Sequence, residues 1–183
     1  MSKLRKKQMT NSEIITARKN RALDREGYFA LFVRILTIAL ILWVFLSYVF
    51  VVTVANGNDM FPAVKDGDVL LGYRLQTDYS KSDVVIYVAN GETRVGRIAA
   101  LGGDTVDFGE DGQFFVNGTA QSGEILYSSY AKDGIDYPYT VPEGSLFILG
   151  DYRTQATDSR DFGAVSLSDV KGKLITLLRR RGL

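Results

Sequence analysis

The chain has 183 residues, a net charge of +1, and neither cysteine nor histidine. Those two absences exclude a disulfide, a thiol nucleophile, a Cys/His zinc site and any mechanism whose base is an imidazole. A hydrolase built from this chain must use carboxylates, hydroxyls, lysine or an oxygen-ligated metal, and the length allows one modest domain plus a short appendage.

The charge is unevenly spread. Residues 1–26 carry eight Lys/Arg and three acids, whereas residues 56–170 carry eight basic and eighteen acidic side chains, a net −10. An acidic body repels phosphates, so nucleic-acid binding is a poor reading. Between the two regions, residues 35–55 run for 21 positions without a charge. As a helix they span about 31 Å at about 1.5 Å per residue, which matches the hydrocarbon thickness of a bilayer. The run exceeds the apolar region of a cleaved signal peptide, and no small-x-small cleavage site is well placed. A buried core helix suits so long a run even less. Arg34 can snorkel at its basic edge, and the positive-inside rule puts the basic segment in the cytoplasm. The expected layout is a basic cytoplasmic segment at 1–34, a single transmembrane helix at 35–55 and an extracellular domain at 56–183.

After Ala55 the pattern changes to short alternating or β-branched runs. Strands are predicted at 68–74, 83–88, 92–101, 105–108, 113–116, 146–149 and 173–178. Turn residues are dense between them: Lys65-Asp66-Gly67-Asp68, Asn90-Gly91, Gly102-Gly103-Asp104, Gly109 through Gly112, and Asn117-Gly118. Asn117-Gly118-Thr119 also matches a glycosylation acceptor, but a hairpin turn explains it more simply. No long helical period follows residue 55, so a mostly β domain is expected. Tyr127, Tyr130, Tyr137 and Tyr139 crowd one loop-rich stretch and read first as packing residues. Arg179-Arg180-Arg181 near the C-terminus can meet anionic headgroups or trail in solvent.

Several motifs follow the apolar run in order. Val-Ala-Asn-Gly-Asn-Asp-Met-Phe-Pro ends at Pro62. Arg97-Ile98-Ala99-Ala100-Leu101-Gly102-Gly103-Asp104 comes next, and Gly150-Asp151-Tyr152-Arg153 precedes Asp158-Ser159-Arg160-Asp161-Phe162-Gly163. Each is weak alone. As an ordered set behind an anchor they resemble the type I signal peptidase family over about residues 54–178. The resemblance implies a signal-peptidase-like β-barrel or sheet body that cleaves signal peptides outside the membrane with a serine–lysine dyad. It also implies a groove that takes an extended peptide by strand addition. In this chain Gly57, Asp59, Met60, Pro62, Arg94, Val95 and Gly96 would line that groove. Arg97, Asp151, Arg153, Asp158 and Arg160 match positions with a structural role. No metal or cofactor is implied.

The departures fall on the chemistry. The family's nucleophilic serine stands before Met-x-Pro, and here that position is Asp59. Its lysine precedes the arginine matched by Arg97, and here that position is Gly96. Its lysine-orienting hydroxyl corresponds to Ala156. A buried lysine loses its charge by desolvation and can then take the serine proton. Gly96 has no side chain, so that base is absent, and a carboxylate is a weak nucleophile toward an amide. Lys65, Lys81 and Lys132 lie in polar, loop-like stretches, where a solvated lysine with a pKa of about 10.4 is a poor base. An aspartic mechanism would need Asp59 to share a proton with Asp158 or Asp161. Asp59 reads instead as a solvated or hydrogen-bonded groove residue.

The replaced dyad resembles that of the signal-peptidase-like accessory proteins of pilus assembly in Gram-positive cocci. That resemblance implies pilin subunits and a sortase as partners. The expectation is a non-catalytic, membrane-anchored homologue that binds exported polypeptides. The alternatives are an active signal peptidase with a rewired site and a structural membrane protein whose groove is closed.

Overall fold

The computed structural model describes residues 10–121 and 127–179. The chain divides into two units, residues 1–46 and 47–183. The basic residues between positions 3 and 7, together with Arg180 and Arg181, lie outside the described residues.

The first unit is built on helix α1, Asn11–Val49. Within α1, Gly27–Val49 is long and apolar enough to cross a membrane, with a mean hydropathy of 2.6 over its most apolar window. Ile35, Ile38, Ile41 and Trp43 are all more than half exposed. An apolar stretch whose side chains stay exposed suits lipid as its solvent.

The apolar helix stops short of the expected boundary at Ala55. Phe50–Val54 form strand β1 instead. Val51-Val52-Thr53-Val54 is a β-branched run, stiff at χ1 and suited to a pleated surface. It pairs residue by residue with β2 (Val69–Tyr73), Val51 opposite Gly72 and Thr53 opposite Leu70. Hydropathy alone could not separate the end of a membrane span from the first strand of a sheet.

The second unit consists of two antiparallel sheets. The remaining strands are β3 (Val84–Ala89), β4 (Glu92–Leu101), β5 (Thr105–Phe108), β6 (Phe114–Val116), β7 (Thr119–Ala120), β8 (Tyr139–Thr140), β9 (Ser145–Leu149), β10 (Val165–Ser166) and β11 (Val170–Leu178). One four-residue helix, α2 (Ser159–Phe162), interrupts them. The larger sheet runs β1-β2-β11-β3-β4-β9-β10 and the smaller β7-β6-β5-β8. Asn90 and Gly91 take φ of 52° and 78° between β3 and β4. That is the two-residue hairpin whose twist matches its strands. Asn117-Gly118 repeats it with φ of 53° and 72°. The Asn117 side chain accepts from the Thr105 N–H at 2.8 Å and donates to Asp104 at 2.7 Å, so it braces the turn.

Strand β4 positions the site. Its first half, from Glu92 to Arg97, pairs with β3. Its second half, from Arg97 to Leu101, also pairs with β9, past a bulge between Ile98 and Ala100. Ile98 packs in a core with Val85, Tyr87 and Ile148, whereas Ala100 belongs to a second core with Val106, Val141 and Phe147. Before Arg97, no strand among the described residues covers the edge of β4 that β9 occupies further on. Such an edge presents alternate N–H and C=O groups to whatever lies beside it.

Candidate functional site

The loop after β1 lies opposite this open edge. Gly57 turns the chain at φ 84°, and its N–H donates to Asp66 at 2.8 Å. Only a residue without Cβ adopts that conformation freely. The Asp66 N–H donates in turn to the Asn58 side chain at 3.2 Å. Met60 is buried with Val64 and Leu70, and its carbonyl accepts from the Val64 N–H at 2.9 Å. Pro62 sits within that turn. The loop is thus pinned at both ends. Between it and Val95 lies a dimple of about 10 Å³, lined also by Ala55, Asn56, Gly57, Asp59 and Met60. That is room for about one water, or a methyl-sized side chain.

Positions 59 and 156 converge on Gly150, and Gly96 lies beside Ile148 and Leu149, just before it in the chain. A Cβ at Gly150 would run into Ala156 Cβ and come within 2.5 Å of the Asp59 carbonyl oxygen. That carbonyl accepts from the Tyr152 N–H at 2.9 Å. The Asp59 carboxylate meets Arg94 Nη1 at 3.3 Å and takes the Thr157 N–H. Burial pushes the carboxyl above its ordinary value, and the Thr157 N–H and Arg94 only partly offset this. Asp59 is therefore an ion-paired residue between the loop and β4, not a freely solvated one. Arg94 also pairs with Glu92, while its Nε is buried without a partner.

Gly96 is more than an empty position. A Cβ there would lie 2.5 Å from Ile148 Cγ2 and 3.3 Å from Tyr87 Cε1. Ile148 is fully buried and β-branched, so it cannot swing aside cheaply. The volume where a lysine side chain would start is filled. Tyr87 offers no substitute base, because burial raises its phenol well above the usual range. Ala156 is fully buried.

The structural positions pair off. Arg97 grips Asp151 with both edges of its fork, at 2.8 and 2.6 Å. Arg160 grips Asp158 in the same way, at 2.9 and 2.8 Å. Asp158 Oδ2 also takes the Gly150 N–H at 3.0 Å, and its Oδ1 the Arg160 N–H at 3.1 Å. Asp158 thus has no oxygen to spare for a proton shared with Asp59. It caps α2 as well, with Asp161 closing the capping box. The Arg153 guanidinium donates to Ser129 at 2.7 Å, and its carbonyl accepts from Arg160 Nη2 at 2.6 Å.

Lys132 departs from expectation. It lies in a loop, but it is not a solvated side chain. Its ammonium donates to the Ala156 carbonyl at 2.6 Å and pairs with Asp161 at 2.7 Å. Nothing in the sequence around position 132 marks this placement. Lys81 pairs with Asp104 at 3.0 Å, and Lys65 lies over the Phe61 ring at 5.6 Å, both away from Gly96. Tyr127 packs on Tyr152, Tyr137 on Phe108 and Tyr139 on Phe147, while Tyr130 is half exposed. Arg179 turns back to the Ala63 carbonyl at 3.0 Å.

A conserved-family model described as "Signal peptidase, peptidase S26" matches residues 27–178, and the chain belongs to that family. Signal peptidase I of Bacillus caldolyticus is 30% identical over 149 residues, covering 73% of this chain and 79% of the relative. Signal peptidase I of Bacillus amyloliquefaciens is 29% identical over 158 residues, covering 80% and 81%. A crystal structure of a signal peptidase I from Enterococcus faecalis V583 is 27% identical, with a TM-score of 0.47 over 54% of this chain and 98% of that one.

Proposed function

We propose that this chain is a non-catalytic, membrane-anchored member of the signal peptidase family that holds exported polypeptides in an extended form. The observation that carries the non-catalytic part is Ile148 at 2.5 Å from the Cβ that any base at position 96 would need. The nucleophile position supports the same reading, since Asp59 is paired with Arg94 and has no neutral amine to activate it. Holding is supported by the open edge of β4 beside the pinned loop. An extended peptide can add there as a strand and place a small side chain in the dimple at Val95. The basic N-terminal segment argues for a cytoplasmic N-terminus and an extracellular β domain. The replaced dyad points to pilus assembly, with pilin subunits and a sortase as partners.

An active peptidase with a rewired site is favoured by one feature, the nearness of Lys132 to Ala156. Its ammonium donates to two oxygens and has no lone pair with which to accept a proton. The test uses the full chain in nanodiscs with an extended, end-blocked pilin peptide. Saturable binding without cleavage is expected, and Val95→Arg, which fills the dimple, should weaken it at least tenfold. Cleavage lost in Lys132→Met would establish the rewired peptidase. Absence of binding would mean that the Asp59–Arg94 pair keeps the groove closed.

A further inference from the structure

The groove is narrower than its use requires. A strand added to the edge of β4 lies about 4.8 Å from it. Beside Val95 the space between β4 and the loop after β1 is about 10 Å³, which is room for about one water. The edge is unpaired before Arg97 among the described residues, but a peptide backbone needs more width than this state gives it.

Arg94 joins the two walls. Its Nη1 meets the Asp59 carboxylate of the loop at 3.3 Å, and its Nη2 pairs with Glu92. The two contacts differ in what they cross. Glu92 precedes Arg94 by two residues on β4, so both side chains lie on one face of the strand, and that contact is kept whatever the loop does. The contact with Asp59 bridges loop and strand, one residue from Val95. Breaking it leaves neither charge alone: Arg94 keeps Glu92, and the Asp59 carboxylate keeps the Thr157 N–H. An ion pair at 3.3 Å between partly exposed side chains is also among the weaker ones. One arginine shared by two carboxylates, able to give up either, has the two states that a switch needs.

We propose that the Asp59–Arg94 contact is a latch on the peptide groove. The free chain holds it closed, and a peptide adds to β4 only in the state where Arg94 has left Asp59 and rests on Glu92. This rests on the peptide-holding function proposed above and adds its regulation. A ligand confined to the open state binds with an apparent affinity reduced by the fraction of chain that is open. Removing the charge of Asp59 raises that fraction. Removing the charge of Glu92 lowers it, because Arg94 then has only Asp59 to rest on.

The test uses the full chain in nanodiscs, with the end-blocked peptide acetyl-Ala-Val-Ala-Val-Ala-amide as the probe and calorimetry as the readout. Asp59→Asn, which keeps an acceptor for the Thr157 N–H, should bind the peptide at least fivefold more tightly than the native chain. Glu92→Gln, a change at an exposed side chain, should bind it at least threefold more weakly. The double variant should bind like Asp59→Asn, because Glu92 has no role once the latch is gone. Equal or weaker binding by Asp59→Asn, or a Glu92→Gln effect that persists in the double variant, would overturn the proposal. A second readout needs no peptide. Relaxation dispersion at the Val95 methyl groups should show exchange between two states in the native chain, and Asp59→Asn should make the minor state the major one. If no variant binds the peptide, the holding function falls. The latch then stands on that shift at Val95, and an unshifted Val95 overturns it as well.

Discussion

Two clusters meet near Gly150 and have opposite characters. In one, Arg97–Asp151 and Arg160–Asp158 are bidentate pairs, and the Gly150 and Arg160 backbone N–H groups share the Asp158 oxygens with the Arg160 fork. In the other, positions 59, 96 and 156 hold a re-paired carboxylate, a glycine and an alanine. The braces shape the backbone whatever chemistry it carries, because Asp151, Asp158 and Arg160 are buried and their charges cannot be left unanswered. At positions 96 and 156 the space is taken up by the core. Ile148 stands where a base would begin. On the proposed reading, restoring a serine and a lysine at positions 59 and 96 does not by itself give cleavage.

The sharpest break of that comparison is in the braces. Asp158→Ala leaves Arg160 buried and unpaired and removes the cap of α2, so it should cost about 3–5 kcal/mol. A denaturant midpoint measures it, and a loss below about 1 kcal/mol would show that the pair is not structural. Gly96→Ala should cost about 1–3 kcal/mol by overpacking against Ile148. In an Ile148→Ala background most of that cost should vanish, and a double-mutant cycle shows whether the two residues share the space. Additive costs would place the strain elsewhere. The smallest effect concerns Asp59. Its folded pKa is raised, so its ionised form is disfavoured by folding. Its contribution is most favourable below the ordinary aspartate value and is lost as pH rises through the folded one. Asp59→Asn should match the native chain at low pH and gain on it as the pH rises above about 4. A difference of the opposite sign would mean that the Arg94 pair outweighs desolvation.

Much of this scaffold could be read from residue order. The long alternating run of β4 and the Asn-Gly turns before β4 and after β6 carry their geometry locally. Phe50–Val54 could not be read in that way, because an apolar β-branched run looks alike at the end of a membrane span and inside a sheet. Strands β7, β8 and β10 are two residues long and too short for any period. At the site, the resemblance to the family's motifs brought out positions 59, 96 and 156. The sequence does not show what surrounds these positions. Ile148 reads as an ordinary core residue of β9 and Lys132 as a loop lysine. The register of β4 against β9 and the packing of the loop on α2 put them beside the site.

One cleavage assay tests whether the site is both stripped and filled. A signal-peptide precursor is incubated in detergent micelles with the full native chain, with Asp59→Ser/Gly96→Lys, and with the same pair plus Ile148→Ala and Ala156→Ser, and products are read by mass spectrometry. The native chain and the double variant should leave the precursor intact, and only the fourfold variant should produce cleavage. Cleavage by the native chain that disappears in Asp59→Asn would contradict the claim.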